Sequence, residues 1–202
     1  MKLYSLKNGV NPRRVRIFLA EKRVAIPIEE FDMESAQHKS PEFLAKNPFG
    51  TLPVLELDDG TLITESIAIC RYFEESVPEP PLFGRSILER AQVEMWNRRM
   101  ELELFRHIGG YFQHTSEIFK NRIRQLPEAA AASKEAALAR MRLIDGLIAG
   151  RRFIAGERYT IADITGLCAI DLGAFAGLTI PAELANLTRW HAEVSSRPSA
   201  RA

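Results

Sequence analysis

Residues 47–66, NPFGTLPVLELDDGTLITES, decide how the first part of this chain folds. Pro48 and Gly50 interrupt the preceding segment, and the apolar run 52–57 has the composition of a strand. The dipeptide at 59–60, Asp-Gly, predicts a two-residue hairpin turn, after which residues 61–64 return as a second strand. Apolar residues at helical spacing follow, so the stretch predicts a hairpin that leads directly into a helix.

Two features of this stretch point to ligand binding. Pro53 has no N–H to give to a strand ladder, and a cis bond before it would turn the Leu52 backbone outward, free to pair with an extended peptide. Glu65 and Ser66 stand where strand passes into helix. Free N–H groups and a hydroxyl there can hold a carboxylate, and the Glu can hold an ammonium group. Alternatively, the Ser is an N-cap and the Glu only complements the helix dipole.

In these residues the chain resembles the cytosolic glutathione transferase family. The shared motif comprises residues 47–55, 59–60 and 64–69. In that family the proline is cis, the residue before it pairs with the cysteinyl backbone of glutathione, and the Glu-Ser pair binds the γ-glutamyl end. The resemblance therefore implies that glutathione, as co-substrate, is bound by Leu52, Pro53, Glu65 and Ser66.

The rest of the chain predicts two domains. Strand-like residues 2–6, a helix from Asn11-Pro12 to about Lys22 and a strand at 26–31 imply a parallel pair with a right-handed crossover. With a short capped helix at Ser40, the order is β-α-β-α-β-β-α, that of a thioredoxin-like domain. We predict an α/β thioredoxin-like domain over residues 1–76, a proline-rich linker over 77–84 and an all-α domain over 85–202.

Within the all-α domain, long helices are predicted over residues 85–113 and 128–148. The Gly pair at 109–110 is expected to kink or thin the first of these helices. Thr160 and Asp163 have capping-box spacing before an apolar helix, which indicates a structural and not a catalytic role. The apolar stripe of the first long helix is predicted from Ile87, Leu88, Ala91, Met95, Leu102, Phe105 and Ile108.

Composition argues against several other classes of protein. The net charge of +1 gives no sign of a nucleic-acid or anionic-membrane partner, and no apolar run approaches the ~18 residues of a membrane span. Cys70 and Cys168 lie far apart in apolar helical runs, which predicts reduced, buried thiols in a cytoplasmic protein. Residues 1–5 already have a strand-like pattern, so no signal peptide is expected. No clustered His/Cys set predicts a metal site, and no Gly-rich loop predicts a nucleotide site.

Thiol activation is the step for which this sequence departs from the family. Lowering an ordinary thiol pKa of about 8.5 by about two units requires roughly 2.7 kcal/mol of preferential anion stabilisation. The family places a Tyr, Ser or Cys near the start of the first helix, and many bacterial relatives have Ser or Thr where this chain has Gly9. Tyr4 lies too early in its strand to reach the sulfur, and the direction of Ser5 is left open by strand alternation.

Three substitutes for the missing hydroxyl are open. Asn11 can donate its amide to sulfur, or it can cap the helix. Arg13 or Arg14 can add positive charge, or each can belong to a solvated face. His114 fits the His-Thr or His-Ser pattern of a transferase branch that holds the thiolate through a water, or it is a surface residue. We predict Asn11 and His114 as the catalytic residues.

The resemblance implies further site residues and partners. Lys39 and Thr51 are predicted to bind glutathione, Lys39 at the glycyl carboxylate. Thr51 stands where relatives often have Lys, Arg or Gln, so less charge assistance reaches that end. A hydrophobic electrophile is expected against Gly9, Val10, His107 and Tyr111. The chain is expected to form a homodimer, as the family does.

Two other functions remain open. One is a glutathione-dependent disulfide reductase or peroxidase that uses the sulfur of glutathione itself with Asn11, because no cysteine occurs in the first loop. The other is a non-catalytic glutathione-binding or regulatory protein of the same fold. The missing hydroxyl at Gly9 favours this last hypothesis, and the retained Glu65–Ser66 pair argues against it.

Overall fold

The computed structural model describes residues 1–32 and 36–202. The chain divides into two units, of which the first comprises Met1–Pro81 with Arg201–Ala202 and the second comprises Leu82–Ala200. The first unit has the α/β thioredoxin-like architecture and the second is helical, as the sequence predicts. The exact domain and linker boundaries remain a prediction.

The first unit is built on a four-stranded sheet with the strand order β2-β1-β3-β4. Strand β1 runs parallel to β2, whereas β3 runs antiparallel to both β1 and β4. A 3₁₀ turn at Gln37–Lys39 precedes α2. The elements are β1 (Lys2–Leu6), α1 (Val10–Lys22), β2 (Ile28–Phe31), α2 (Pro41–Lys46), β3 (Val54–Glu56), β4 (Leu62–Thr64) and α3 (Ser66–Ser76).

An aromatic cluster fills one part of this unit. Tyr4 makes edge-to-face contacts with Phe31 and Phe43, with ring centroids 5.7 and 5.9 Å apart, and Val54 and Leu52 complete the cluster. The Tyr4 hydroxyl donates a hydrogen bond to the Glu56 carboxylate. This tyrosine is therefore a core residue and does not replace the missing activating hydroxyl.

The hairpin turn is wider than predicted. The Leu57 N–H donates to the Thr61 carbonyl at 2.9 Å and the Gly60 N–H donates to the Leu57 carbonyl at 3.0 Å, which encloses residues 58–60. Gly60 has φ +83°, a conformation that glycine adopts without steric cost. The hairpin itself is confirmed, but a two-residue turn is wrong because this glycine closes a three-residue loop.

Two helices begin at different residues than the sequence indicates. Helix α1 begins at Val10 with Gly9 as its N-cap, so Asn11 is its second residue and not its cap. Helix α3 begins at Ser66 and Glu65 takes the N-cap position. The predicted cap of α2 is confirmed, since the Ser40 hydroxyl accepts from the Phe43 N–H at 3.2 Å.

The second unit is helical throughout its main elements. They are α4 (Ile87–Arg99), a π-helical segment (Met100–Phe105), α5 (Arg106–Thr115), a 3₁₀ turn (Glu117–Phe119), α6 (Pro127–Leu147), α7 (Ile161–Phe175) and α8 (Ala185–Ser195). A 3₁₀ turn (Pro198–Arg201) follows, and its last residue is grouped with the first unit. The irregularity in the first long helix is thus the π-helical segment, and the Gly109-Gly110 pair lies inside regular α5.

The predicted apolar stripe of the long helix is largely wrong. Ile87 is 91% exposed and Leu88 is 67% exposed, and Met95 and Leu102 are also exposed. Of the predicted residues, Ile108 is buried. The other residues that the unit buries lie on another face and include Val93, Trp96, Met100 and Leu104. The helix carries apolar residues on two faces, and only the second face packs inside this unit.

The capping box before α7 is confirmed as a structural centre. The wholly buried Asp163 carboxylate accepts from the Thr160 N–H, the Ile154 N–H and the Trp190 indole N–H, each at 2.8 Å. Burial raises the pKa of Asp163 to about 6. One carboxylate therefore joins the start of α7, the preceding turn and α8.

Lys22 holds the proline-rich segment within the first unit. Its buried Nζ lies 2.5 Å from a Glu74 carboxylate oxygen and donates to the Val77 and Pro80 carbonyls at 2.8 and 2.7 Å.

In the described part of the chain, no helix is long and apolar enough to cross a bilayer. Cys70 and Cys168 are buried thiols.

Candidate functional site

The candidate site is built around the start of α3. The last pair of the β3–β4 ladder is Val54 with Thr64, and Pro53 and Glu65 are the next residues along the chain at this end. The Leu52–Pro53 bond is cis. Leu52 precedes β3 and its side chain packs against the aromatic cluster. The structure therefore brings the two halves of the predicted motif together at one end of the hairpin.

Arg14 is the unexpected member of this site. Its Nη1 donates to the Ser66 hydroxyl oxygen at 2.8 Å, and both side chains are buried, with Arg14 only 1% exposed. The alternative that Arg14 belongs to a solvated face is therefore wrong. The contact depends on the packing of α1 against α3, which no local pattern in the sequence reveals.

Glu65 has an unusual backbone conformation. Its φ is 65° and its ψ is 118°, while its side chain is exposed. Residues other than glycine held at positive φ cost on the order of 1–3 kcal/mol and concentrate at functional sites. The exposed Glu65 side chain directly precedes the first N–H groups of α3 in the chain, so this helix start offers one group for an ammonium and others for a carboxylate.

The loop before Leu52 carries the next two predicted residues. Lys39 Nζ donates to the Phe49 carbonyl at 3.2 Å, and buried Asn47 donates to the Thr51 carbonyl at 2.8 Å and to its hydroxyl at 3.1 Å. These bonds tie Lys39 and Thr51 to one short loop. Asn47 was not predicted as a supporting residue, although its position before a proline is a turn signal.

The start of α1 contains three further predicted residues, all half-buried: Gly9, Val10 and Asn11. Among the described residues, none forms a hydrogen bond with the Asn11 side chain, which is therefore available to a ligand. Ser5 is buried and its hydroxyl accepts from Arg16 Nη1 at 2.9 Å. That bond gives the Ser5 side chain a structural partner on α1.

The remaining predicted residues belong to the second unit. His107, Tyr111 and His114 follow one another at spacings of four and three residues on α5, so they share a face of that helix, and all three are half-buried. His114 Nδ1 accepts from the Leu126 N–H at 3.4 Å. In the neutral ring this leaves the proton on Nε2, which can then act as a donor.

Comparisons with known proteins agree with this geometry. Residues 10–76 match the family model of the glutathione S-transferase N-terminal domain, and residues 102–198 match that of the C-terminal domain. Glutathione S-transferase 2 of Saccharomyces cerevisiae is 36% identical over 210 residues, which cover 100% of this chain and 88% of that protein. This chain belongs to the glutathione S-transferase family.

A solved structure supports membership of the family along the whole chain. The crystal structure of a glutathione S-transferase domain-containing protein from Marinobacter aquaeolei VT8 superposes with a TM-score of 0.93 at 38% identity, covering 98% of this chain and 99% of that one. Some similar proteins are not named as transferases. Elongation factor 1-gamma 2 of Oryza sativa is 34% identical over 72% of this chain, which spans only 34% of that relative.

Proposed function

We propose that this protein is a glutathione transferase. The observation that carries the proposal is the Glu65–Ser66 pair at the start of α3. Glu65 has an exposed side chain on a strained backbone, and the neighbouring Ser66 hydroxyl accepts a hydrogen bond from buried Arg14. In the proposed complex, Glu65 binds the γ-glutamyl ammonium group and Ser66 the adjacent carboxylate. Leu52 and Pro53 pair with the cysteinyl backbone, and Lys39 and Thr51 bind the glycyl end.

Asn11 and His114 are the proposed thiol-activating residues. The Asn11 amide can donate directly to sulfur from the first turn of α1, where the helix dipole also favours an anion. His114 can act through a water, using the Nε2 proton that its contact with Leu126 leaves available. Gly9, Val10, His107 and Tyr111 are proposed to contact a hydrophobic electrophile.

The proposed reaction is a substitution at carbon. The glutathione thiolate attacks the electrophilic carbon, a C–S bond forms, and the bond to the leaving group breaks with its electron pair, so that chloride departs from an aryl chloride. Such conjugation serves detoxification. A cytoplasmic location is proposed with it, supported by the two buried thiols.

We also propose a homodimer. Its support is the exposed apolar face of α4 and the π-helical segment, which carries Ile87, Leu88, Ala91, Met95 and Leu102. From Leu88 onward these residues recur at intervals of three, four and seven, as in a helix face that packs against another surface. In the first unit, Phe49 is likewise 79% exposed.

A titration of bound glutathione tests the proposed activation. Thiolate absorbance in the ultraviolet is followed against pH for the parent, Asn11→Ala and His114→Ala, with Asn8→Ala and His191→Ala as matched controls. We expect a thiol pKa below about 8.5 in the parent and in both controls, and a pKa that rises towards this value in at least one test variant. Bound glutathione with an ordinary pKa in the parent would contradict activation.

A non-catalytic glutathione-binding protein is the second candidate. Two observations favour it: the missing hydroxyl at Gly9 and the similarity to a relative named elongation factor 1-gamma 2. Turnover of an aromatic chloride separates the candidates, because a binding protein retains affinity for glutathione without conjugation. Faster reduction of hydroxyethyl disulfide than conjugation would favour the reductase hypothesis instead.

A further inference from the structure

We infer that Arg14 is a positioning residue that orients the Ser66 hydroxyl toward the α-carboxylate of the γ-glutamyl group of glutathione. The inference rests on the proposed function. It starts from the 2.8 Å bond between Arg14 Nη1 and Ser66 Oγ, which joins α1 to the start of α3.

The direction of this bond follows from the chemistry of the two side chains. A guanidinium group has only donors, so the Ser66 oxygen must be the acceptor. The hydroxyl proton of Ser66 must then point elsewhere. In the part of the chain that the structure describes, no group accepts this proton. A carboxylate bound at the start of α3 would be its acceptor.

Burial makes the arrangement selective for an anion. Arg14 and Ser66 are 1% and 5% exposed, and hydrogen bonds in such surroundings are electrostatically stronger than in water. A hydroxyl whose oxygen accepts from a cation is polarised and becomes a better donor. The Ser66 hydroxyl is therefore a donor suited to a carboxylate, with the positive charge of Arg14 behind it.

The contact between Arg14 and Ser66 is expected to affect the binding of glutathione more than the chemical step. Arg14 acts through Ser66 on the γ-glutamyl end of glutathione. This end takes no part in the C–S bond that forms or in the bond to the leaving group that breaks. Loss of Arg14 should therefore raise the KM for glutathione more than it lowers kcat. A purely structural residue would have no reason to distinguish ligands that differ only in this carboxylate.

The test compares glutathione with γ-aminobutyryl-cysteinyl-glycine, an analogue without the α-carboxylate. Both are titrated calorimetrically into the parent, Ser66→Ala, Arg14→Met and Arg14→Lys. We expect the parent to prefer glutathione about tenfold or more, as for a hydrogen bond to a charged group. Arg14→Met and Ser66→Ala should each lose most of this preference, and Arg14→Lys should retain part of it. The double variant Arg14→Met/Ser66→Ala, titrated in the same way, should lose little more than either single variant.

Ser5→Ala is the matched control, because Ser5 also accepts from an arginine of α1, Arg16, at 2.9 Å. We expect it to retain the preference of the parent. If the parent binds neither ligand, the proposed function fails. If the parent binds glutathione but folded Arg14→Met keeps the full preference, this inference alone is overturned. Should Arg14→Met fail to fold, an unchanged preference in Ser66→Ala overturns it, since Arg14 acts through that hydroxyl.

Discussion

Lys22 and Glu74 form an ion pair inside the first unit, with side chains 0% and 8% exposed and 2.5 Å between Nζ and Oε2. The same ammonium donates to three carbonyls, those of Val77, Pro78 and Pro80. Removing one partner of a buried pair leaves the other charge uncompensated. We expect Lys22→Met to lower the free energy of unfolding by about 3–5 kcal/mol, measured by urea denaturation.

The surface pair of Lys2 and Glu29 provides the control. Its Nζ–Oε2 distance is 2.9 Å, but its side chains are 41% and 49% exposed. Because exposed pairs contribute little, Lys2→Met should lower the free energy of unfolding far less than Lys22→Met. Equal losses in the two variants would show that Lys22 does not fasten the segment 77–80.

Because the backbone of Glu65 is strained, replacing this residue by glycine is expected to stabilise the fold and to weaken the binding of glutathione. At φ 65°, Glu65→Gly releases about 1–3 kcal/mol of strain and loses up to about 1 kcal/mol through the flexibility of glycine. We expect unfolding to become harder by on the order of 1 kcal/mol, while glutathione affinity falls because the ammonium group loses its partner. Calorimetric binding and chemical denaturation measure the two effects.

Two variants distinguish strain from the lost carboxylate. Glu65→Ala should weaken binding to the same degree without gaining stability, since alanine has the same difficulty at positive φ. Arg23, at the C-cap of α1 with φ 57°, lies outside the proposed site, so Arg23→Gly should leave binding unchanged. A Glu65→Gly protein that binds glutathione normally would remove Glu65 from the site.

Because Asp163 is buried, the stability of the second unit is expected to change with pH over a defined range. The pKa of Asp163 rises from 3.8 to about 6 on folding. Between these values the folded state holds a proton that the unfolded state has released, so this group contributes stability that is lost as pH rises through about 6. We expect its contribution to be on the order of 1 kcal/mol greater at pH 5 than at pH 7.

Asp163→Asn isolates this contribution from that of the other carboxyl groups. The variant should be less stable at every pH, because an amide nitrogen cannot accept from the N–H groups of Thr160, Ile154 and Trp190 that the carboxylate serves. The free energy of unfolding of the variant should also lack the increase between pH 7 and pH 5 that Asp163 gives to the parent. Urea denaturation midpoints at both pH values measure this difference. Parallel profiles for the two proteins would contradict the expected titration.

A side chain at position 9 would be crowded in this structure. A Cβ placed there would lie 3.0 Å from two atoms of the Pro12 ring and 3.1 Å from Leu6 Cβ. We expect Gly9→Ser to lose about 1–3 kcal/mol of stability through overpacking, without lowering the pKa of the bound thiol. Denaturation and the ultraviolet titration of bound glutathione measure the two effects.

Gly9→Ala and the double variant Gly9→Ser/Pro12→Ala complete this experiment. Alanine should destabilise as much as serine, because both add the same Cβ. Removing the proline ring should restore part of the loss. A lower thiol pKa in Gly9→Ser than in the parent would instead show that the loop accommodates an activating hydroxyl.

Local chemistry explains which elements were predictable from the sequence. The hairpin before α3, the Ser40 cap and the Thr160–Asp163 capping box each depend on neighbouring residues, and all three are present. The start of α1 was misplaced because Asn is a stronger N-cap than Gly. The chain nevertheless caps with Gly9, and Pro12 remains within the first turn, where the missing N–H costs no helical bond.

Long-range packing determined what the sequence could not show. The burial of Arg14 depends on α3 lying against α1, and its partner Ser66 is 52 residues away. The choice between two apolar faces of the long helix likewise depends on α7, and the π-helical segment shifts the register of the buried face. Periodicity identifies apolar faces, but it does not tell which of them a single chain covers.

The uncovered face of α4 is where the proposed homodimer can be tested. Met95 lies in the middle of the exposed series from Ile87 to Leu102. A charge there would be buried without a partner in an apolar interface, which is costly. We expect Met95→Glu to convert a dimer into a monomer at micromolar concentration, as measured by sedimentation equilibrium, with the helical content of the parent.

Leu143 on α6 is the matched control, since it is 51% exposed but lies outside this face. Leu143→Glu should remain dimeric. If Met95→Glu stays dimeric while Leu143→Glu dissociates, the interface lies on α6 instead. A parent protein that is already monomeric would contradict the homodimer, and the exposed face of α4 would then have no partner in a second copy of this chain.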